Sequence, residues 1–141
     1  MNELDDELRM IAGFKADHHN PQGLPYPSYE ALVLAKGTAW DEAVVRRNGE
    51  PKFCYMNAFN AAVEHGWQYV EGFARSLFPT MHAWCVDDGQ AVELTWETSG
   101  EGYRGIIMDL DTVRATMLKT EMWGVMPNDY LNNVALLRAN A

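Results

Sequence analysis

Four short segments between residues 67 and 108 constrain the fold of this chain most strongly. They cover residues 68–74, 82–86, 90–96 and 103–108 and are rich in aromatic and β-branched residues. Turn-forming residues separate them, at Pro79, at Asp88-Gly89 and at Ser99-Gly100. Short runs of this composition, bounded by turn residues, are typical of antiparallel strands. We therefore expect a β-meander in the middle of the chain.

Helical patterns lie on both sides of this meander. Apolar residues recur at helical spacing over residues 3–15, and Ser28 can cap a helix over 29–36 that ends at Gly37. A turn-rich helix over 40–47 is expected next, and then a buried helix over 52–65 that ends at Gly66. Two more are expected over 111–119 and 128–138. This order of elements, helices followed by a sheet and then by more helices, predicts the α+β class.

The length and composition fit one domain. The chain has 141 residues, of which 48% are hydrophobic, enough to bury a core. We expect a single domain over 1–141. It comprises a helical N-terminal part over 1–50, a helix plus meander over 51–110, and C-terminal helices over 111–141.

The charge balance limits the classes of partner. Eleven Lys and Arg against twenty Asp and Glu give a net charge of −9, which argues against binding to nucleic acid. The acidic N-terminus lacks the basic and apolar regions of a secretory signal, and no apolar segment approaches membrane-spanning length. We expect a soluble cytoplasmic protein with no membrane partner.

Cysteine and histidine usage does not indicate a metal or cofactor site. Cys54 and Cys85 are the only cysteines, too few for a disulfide framework, and no zinc-type spacing is present. His18-His19 lie in a Pro-rich loop and His65 at a helix end, so we do not expect them to bind metal. No metal ion and no cofactor are predicted.

A thiol, an imidazole and a carboxylate follow one another in an order typical of nucleophile, base and orienting group. Cys54 precedes His82, and Glu93 follows 11 residues after the histidine. If Asp88-Gly89 forms a two-residue turn, Trp84 pairs with Glu93 and His82 with Thr95. Glu93 then lies diagonal to His82 on one face, within roughly 7 to 8 Å at the backbone. The same alternation places Cys85 on the other face.

The start of a helix suits a reactive thiol. Unpaired backbone N–H groups there, with a nearby imidazolium, stabilise a thiolate. They also stabilise the negative charge of a tetrahedral intermediate, as an oxyanion hole does. The alternative for Cys54 alone is that of a small core residue, which is the commoner fate of a free cysteine.

The wider pattern resembles a known superfamily. Cys54 at a helix start, His82-Ala83-Trp84 on one strand and Val92-Glu93-Leu94-Thr95-Trp96 on the next are similar to the transglutaminase-like superfamily of papain-like thiol enzymes. That superfamily has His-Ala-Trp on one strand and Asp-Pro-Thr-Trp on the next, so this chain has Glu93 for Asp and Leu94 for Pro. The match covers about a third of the chain and begins after residue 50. Residues 69–74 also resemble a segment of small stand-alone bacterial and phage members.

The resemblance implies a papain/transglutaminase-like fold, in which the nucleophile helix packs on an antiparallel β-sheet. It also implies a catalytic triad of Cys54, His82 and Glu93. Cys54 would attack an amide or ester carbonyl and form a thioester, resolved by water or an amine. The expected activities are those of a peptidase, a glutamine deamidase or a transglutaminase-like acyltransferase, acting on a protein or peptide.

Four further residues are candidates for the cleft or the oxyanion hole. Asn48 lies six residues before Cys54, where papain-like enzymes place a side-chain donor, although an Asn before Gly49 also suits a turn. Asn57 either holds the helix start or is solvated. Glu71 lines the cleft or sits at a solvated sheet edge, and Trp84 is a core or cleft-wall aromatic.

Two other functions compete with acyl transfer. The first is a non-catalytic interaction or inhibitor protein, of phage type, that uses an acidic surface on a basic partner. The second is redox chemistry between Cys54 and Cys85, which their predicted orientation opposes because a resolving thiol must reach the first sulfur.

Overall fold

The computed structural model describes residues 3–18, 20 and 23–138, and contains five α-helices, one 3₁₀-helix and six strands within them. His19 of the His18-His19 pair lies outside the described residues. In chain order the elements are α1 (Glu3–His18), α2 (Tyr29–Lys36), β1 (Thr38–Trp40), β2 (Val44–Val45), α3 (Cys54–His65), β3 (Gln68–Arg75), β4 (Pro79–Asp87), β5 (Gln90–Glu93), β6 (Tyr103–Met108), α4 (Leu110–Thr120), the 3₁₀-helix (Met126–Asn132) and α5 (Ala135–Arg138).

The strands form one curled mixed sheet in the order β1-β6-β3-β4-β5-β2, and the predicted α+β class is confirmed. All neighbours are antiparallel except β2 and β5. Strands β3, β4 and β5 form a meander as predicted, but β6 pairs with β3 and not with β5. The four-strand meander was therefore wrong in its last step, because β2 takes the outer edge of β5 and leaves β6 to close the other side.

The predicted helix over residues 40–47 is also wrong. Strands β1 and β2 occupy this part of the chain. The β-branched Val44 and Val45 pair with Val92 and Glu93 of β5. Such short strands form because they pair with segments that are distant in sequence, and local residue spacing does not reveal this pairing.

The end of the chain forms two short helical pieces where one helix over 128–138 was expected. Asn133 and Val134 have positive φ values of 56° and 45°, which end the 3₁₀-helix before α5 begins. The other helices match their patterns closely. Ser28 Oγ accepts a hydrogen bond from Ala31 N at 3.1 Å as the cap of α2, and Gly66 ends α3 with a φ of 72°.

The hairpin between β4 and β5 has the predicted register near its turn, but the predicted pairs Trp84–Glu93 and His82–Thr95 are not part of the ladder. Asp88 and Gly89 have φ values of 50° and 82°, as a two-residue turn of type I′ requires. Asp87 pairs with Gln90, and Cys85 pairs with Val92. Strand β5 ends at Glu93, three residues earlier than expected.

Helix α3 packs on one face of the sheet. Its apolar side chains form a core with residues of β3, β4 and β5, which are Tyr69, Ala83, Cys85 and Val92. The opposite face carries a second cluster around Trp84, which includes Val70, Ala74, Val86, Ala91 and Tyr103. Helices α1 and α2 pack with Phe73 and Met126 in a third cluster.

We predict that Gly72→Ala destabilises the fold by about 3 kcal/mol. Gly72 lies between His82 of β4 and Gly105 of β6, and a Cβ there would overlap Arg104 O and Gly105 Cα. Both contacts are backbone atoms, which have little room to move. Urea unfolding measures the loss.

Gly13→Ala is the matched control, because Gly13 is an exposed residue inside α1 with open space around its Cα. Removing a helical glycine there should stabilise the protein by roughly 0.5–1 kcal/mol. An unfolding midpoint of Gly72→Ala equal to that of the parent would contradict the close approach of β3 and β6.

Candidate active site

The hairpin brings His82 and Glu93 together inside the protein. His82 Nε2 lies 3.0 Å from both Glu93 carboxylate oxygens. His82 is 1% exposed and Glu93 is 0% exposed. A buried carboxylate without partners is strongly destabilising, so the contact with His82 is favoured. This contact fixes the orientation of the imidazole.

Three further groups donate hydrogen bonds to the Glu93 carboxylate. The backbone N–H groups of Thr95 and Trp96 each donate to Oε2 at 3.0 Å, and the Tyr103 hydroxyl donates to Oε1 at 2.6 Å. The chain must curl around the carboxylate to aim two consecutive N–H groups at it, which explains why β5 ends at Glu93. Sequence reasoning missed Tyr103, because no local signal reveals that β6 lies beside β3.

Aromatic rings enclose the imidazole. The Trp96 ring stacks on it with ring centroids 4.0 Å apart and an interplanar angle of 20°. The Trp84 ring lies 6.2 Å away at 22°. Trp84 is fully buried, so it belongs to the core and offers no surface to a cleft, which corrects one of its two predicted roles. The rings exclude water from the His82–Glu93 pair.

The shortened β5 also determines how Cys54 reaches His82. Ala83 and Cys85 of β4 point toward α3, so the alternating His82 points to the opposite face. Since the β4–β5 ladder ends before His82, β5 does not cover the edge of β4 at that residue. Cys54, the first residue of α3, is close enough to the imidazole to contribute to raising its pKa.

The surroundings of His82 and Glu93 favour the charged form of each. Burial lowers the pKa of His82, but the interactions with Cys54 and Glu93 outweigh this effect and raise it to about 9. Burial raises the pKa of Glu93, and the hydrogen bond and the charge of His82 outweigh it, so that its pKa is lowered. The site therefore presents an imidazolium to the thiol of Cys54, which is 8% exposed.

Asn57 holds the loop that leads into Cys54. Its Nδ2 donates to Glu50 O at 2.8 Å and to Thr95 Oγ1 at 3.0 Å. It thereby joins α3 both to this loop and to the segment after Glu93. Asn57 is buried with its amide hydrogens engaged, so it is neither a solvated helix residue nor a free oxyanion donor.

The loop itself contains two residues with left-handed backbone conformation. Gly49 has a φ of 71°, and a Cβ there would overlap Asn57 Oδ1. Lys52 has a φ of 72° without being a glycine, which is a strained conformation. Such strain persists only where the surroundings enforce it, and it is found at functional sites.

Asn48 lies at the beginning of the same loop. Its backbone N–H donates to Leu94 O at 3.0 Å, which attaches the loop to the chain just after β5. Its side-chain Oδ1 is buried without a hydrogen-bond partner among the described residues. Its role as an oxyanion donor stays a prediction.

Glu71 has neither of its predicted roles. It is fully buried, and it accepts hydrogen bonds from the Tyr69 hydroxyl at 2.6 Å and from the N–H groups of Val125 and Met126 at 2.8 and 2.7 Å. Burial raises the pKa of Glu71. This residue fastens the segment after α4 to the sheet, so it lies neither in a cleft nor at a solvated edge.

Cys85 lies on the face toward α3, away from His82, as the hairpin register predicts. Its Sγ donates to Ala58 O at 3.1 Å, and burial raises the pKa of its thiol to about 12. Both cysteines are free. A buried thiol of such high pKa is a poor resolving group, which disfavours the redox alternative.

Comparison with models of protein families, with curated proteins and with solved structures finds no match to this chain. In the part of the chain that the structure describes, no helix is long and apolar enough to cross a membrane. Within the same residues, no three His, Cys, Asp or Glu side chains are grouped to hold a metal ion.

Replacing Asn57 with Ala should destabilise the protein by about 2 kcal/mol, because it removes two hydrogen bonds, one of them to the buried Thr95 hydroxyl. Urea unfolding measures this change. Asn60→Ala is the control, since Asn60 is exposed on the same helix, and it should stay within about 0.5 kcal/mol of the parent. Equal effects of the two variants would contradict the role of Asn57.

The His82–Glu93 pair should make the free energy of unfolding depend on pH. The pKa of His82 is about 9 in the folded protein, above its ordinary 6.5. Its contribution is therefore fully present below pH 6.5 and is lost as the pH rises through 9. The lowered pKa of Glu93 makes its contribution disappear as the pH falls below its ordinary value.

Urea unfolding of the parent and of His82→Gln at several pH values tests this prediction. The stability difference between the two proteins should be largest near pH 6 and should shrink by pH 10. A difference that does not change between these values would mean that folding does not raise the pKa of His82.

Proposed function

We propose that the protein is a thiol-dependent acyl-transfer enzyme that acts on amide bonds, with Cys54 as nucleophile, His82 as base and Glu93 as the residue that orients His82. The observation that carries the proposal is the buried Glu93–His82 ion pair beside a cysteine at the start of a helix. Pairs of titratable groups held in this way are concentrated at catalytic sites.

The acylation step uses these groups in sequence. The imidazolium favours the thiolate, whose sulfur attacks the substrate carbonyl carbon and forms a C–S bond. Since Nε2 faces Glu93, Nδ1 is the nitrogen that exchanges a proton with Cys54 and with the leaving group. The C–N bond then breaks, the amine takes the Nδ1 proton, and a thioester remains on Cys54.

The second step releases the acyl group. Water or a second amine attacks the thioester carbonyl while the neutral imidazole takes its proton. The C–S bond breaks and the thiolate–imidazolium pair is restored. Attack by water is the reaction of a peptidase or a glutamine deamidase. Attack by an amine is the reaction of a transglutaminase-like acyltransferase.

The start of α3 supports the stabilisation of an oxyanion. Its cap residue, Phe53, makes no side-chain hydrogen bond to the first turn. The backbone N–H groups of that turn have no partner within a helix, and they can stabilise the developing negative charge. Asn48 is the proposed side-chain donor, from the loop that precedes Cys54.

The arrangement of elements supports a papain/transglutaminase-like fold. Helix α3 packs on the antiparallel meander of β3, β4 and β5, with the histidine on β4 and the carboxylate at the end of β5. We propose a protein or peptide as substrate. An acidic chain of net charge −9 favours basic partners by attraction at long range.

Closure of the site favours one alternative, a non-catalytic interaction or inhibitor protein on the same scaffold. His82 is 1% exposed and Cys54 is 8% exposed, which limits access to the thiol. In that case Glu93 and His82 serve only to stabilise the fold. The reactivity of Cys54 distinguishes the two functions.

Alkylation of Cys54 by iodoacetamide between pH 5.5 and 9, followed by mass spectrometry, tests the proposed function. We expect the rate to remain high below pH 7 and to fall at least about tenfold there in His82→Ala and His82→Gln. Cys85 is an internal control and should react slowly throughout, because it is buried. Circular dichroism establishes that each variant is folded.

An ordinary thiol profile with its midpoint near pH 8.5, unchanged in both His82 variants, would overturn the proposal. Very slow alkylation of Cys54 at every pH would instead favour the interaction protein.

A further inference from the structure

A cavity adjoins the start of α3. Its walls are formed by residues that lie before and after Cys54 and by the segment that follows α4. Its volume is about 290 Å³, and its lining consists of Lys52, Phe53, Tyr55, Met56, Glu121, Met122 and Trp123. The catalytic groups proposed above do not line it.

The cavity is next to the thiol along the chain and in space. Phe53 and Tyr55 flank Cys54 directly. Burial raises the pKa of Tyr55, and the nearby charges of Glu71 and of Cys54 add to this effect. The Tyr55 phenol is therefore neutral. The residues on both sides of the nucleophile along the chain therefore line the cavity.

The walls of the cavity contain exposed apolar side chains, and contacts with neighbouring residues hold one of these walls in place. Phe53, Met122 and Trp123 are 54%, 48% and 46% exposed, an unusual concentration of large apolar side chains at one place on the surface. The Trp123 ring lies against Phe59 with ring centroids 6.1 Å apart. Asn128 Nδ2 donates to Trp123 O at 2.8 Å, which holds this wall in place.

The charges at the cavity favour an apolar occupant. Lys52 and Glu121 carry opposite charges, so neither a cationic nor an anionic side chain gains a net attraction. An apolar cavity of roughly 150 Å³ already holds benzene, so this one has room for a larger aromatic or aliphatic group.

We infer that this cavity binds an aromatic or long aliphatic side chain of the acyl donor while Cys54 attacks the donor's carbonyl carbon. This inference rests on the proposed function. It predicts that the preferred substrates are amides with a bulky apolar side chain near the scissile carbonyl. Amides with a small or charged side chain there should be poorer substrates.

Two alkylating probes test the inference, iodoacetamide and N-phenethyl-iodoacetamide. The rate of each at Cys54 is divided by its rate with N-acetylcysteine, which removes intrinsic differences in reactivity. We expect the corrected rate to favour the phenethyl probe by about tenfold, the discrimination that one apolar group achieves in a pocket. Met122→Ala should reduce this preference several-fold.

Met10→Ala is the matched control, because Met10 is an exposed methionine on α1, away from the cavity. It should leave both rates unchanged. Rapid alkylation by iodoacetamide without preference for the phenethyl probe would overturn the inference and leave the proposed function intact. A preference that persists in Met122→Ala would overturn the role of this cavity. Slow alkylation by both probes would instead remove the proposed function on which the inference depends.

Discussion

The buried carboxylate of Glu93 is the constraint on which this part of the structure depends. A charge removed from water requires partners in almost every direction. Glu93 receives them from His82, from the Tyr103 hydroxyl and from the N–H groups of Thr95 and Trp96. Meeting that requirement ends β5, places the Trp96 ring on the imidazole and connects the hairpin to β6. The orientation of the histidine and the path of the chain after β5 therefore have one cause.

The same constraint allows a helix on one face of the sheet to meet a histidine on the other. A longer β5 would have continued its pairing with β4 toward His82. Because β5 ends at Glu93, the start of α3 lies beside the segment that follows it. Asn57 makes this approach specific, since one amide group contacts both the loop before Cys54 and Thr95.

Local patterns were sufficient for the elements that carry Cys54, His82 and Glu93. Gly66 and the apolar spacing defined α3, and Asp88-Gly89 fixed the register that places Glu93 against His82. The sequence did not predict what depends on distant partners. The two-residue strand β2 exists only through β5, and Tyr103 reaches Glu93 only because β6 lies beside β3. Glu71 was misjudged for the same reason, since two of its three donors lie more than 50 residues later in the chain.

The hydrogen bonds that Glu71 accepts from the segment after α4 affect the order in which parts of the protein fold during synthesis. When β3 and β4 have left the ribosome, Glu71 still lacks the N–H groups of Val125 and Met126, so burying its carboxylate is unfavourable. Those donors come after α4, close to the end of the described chain. The face of the sheet that holds α3 can close only after residues 125 and 126 have been made. A nascent chain that lacks these residues would therefore carry Cys54 in an unfinished core, and the surroundings of the thiol would be completed only after the segment that follows α4 has been made.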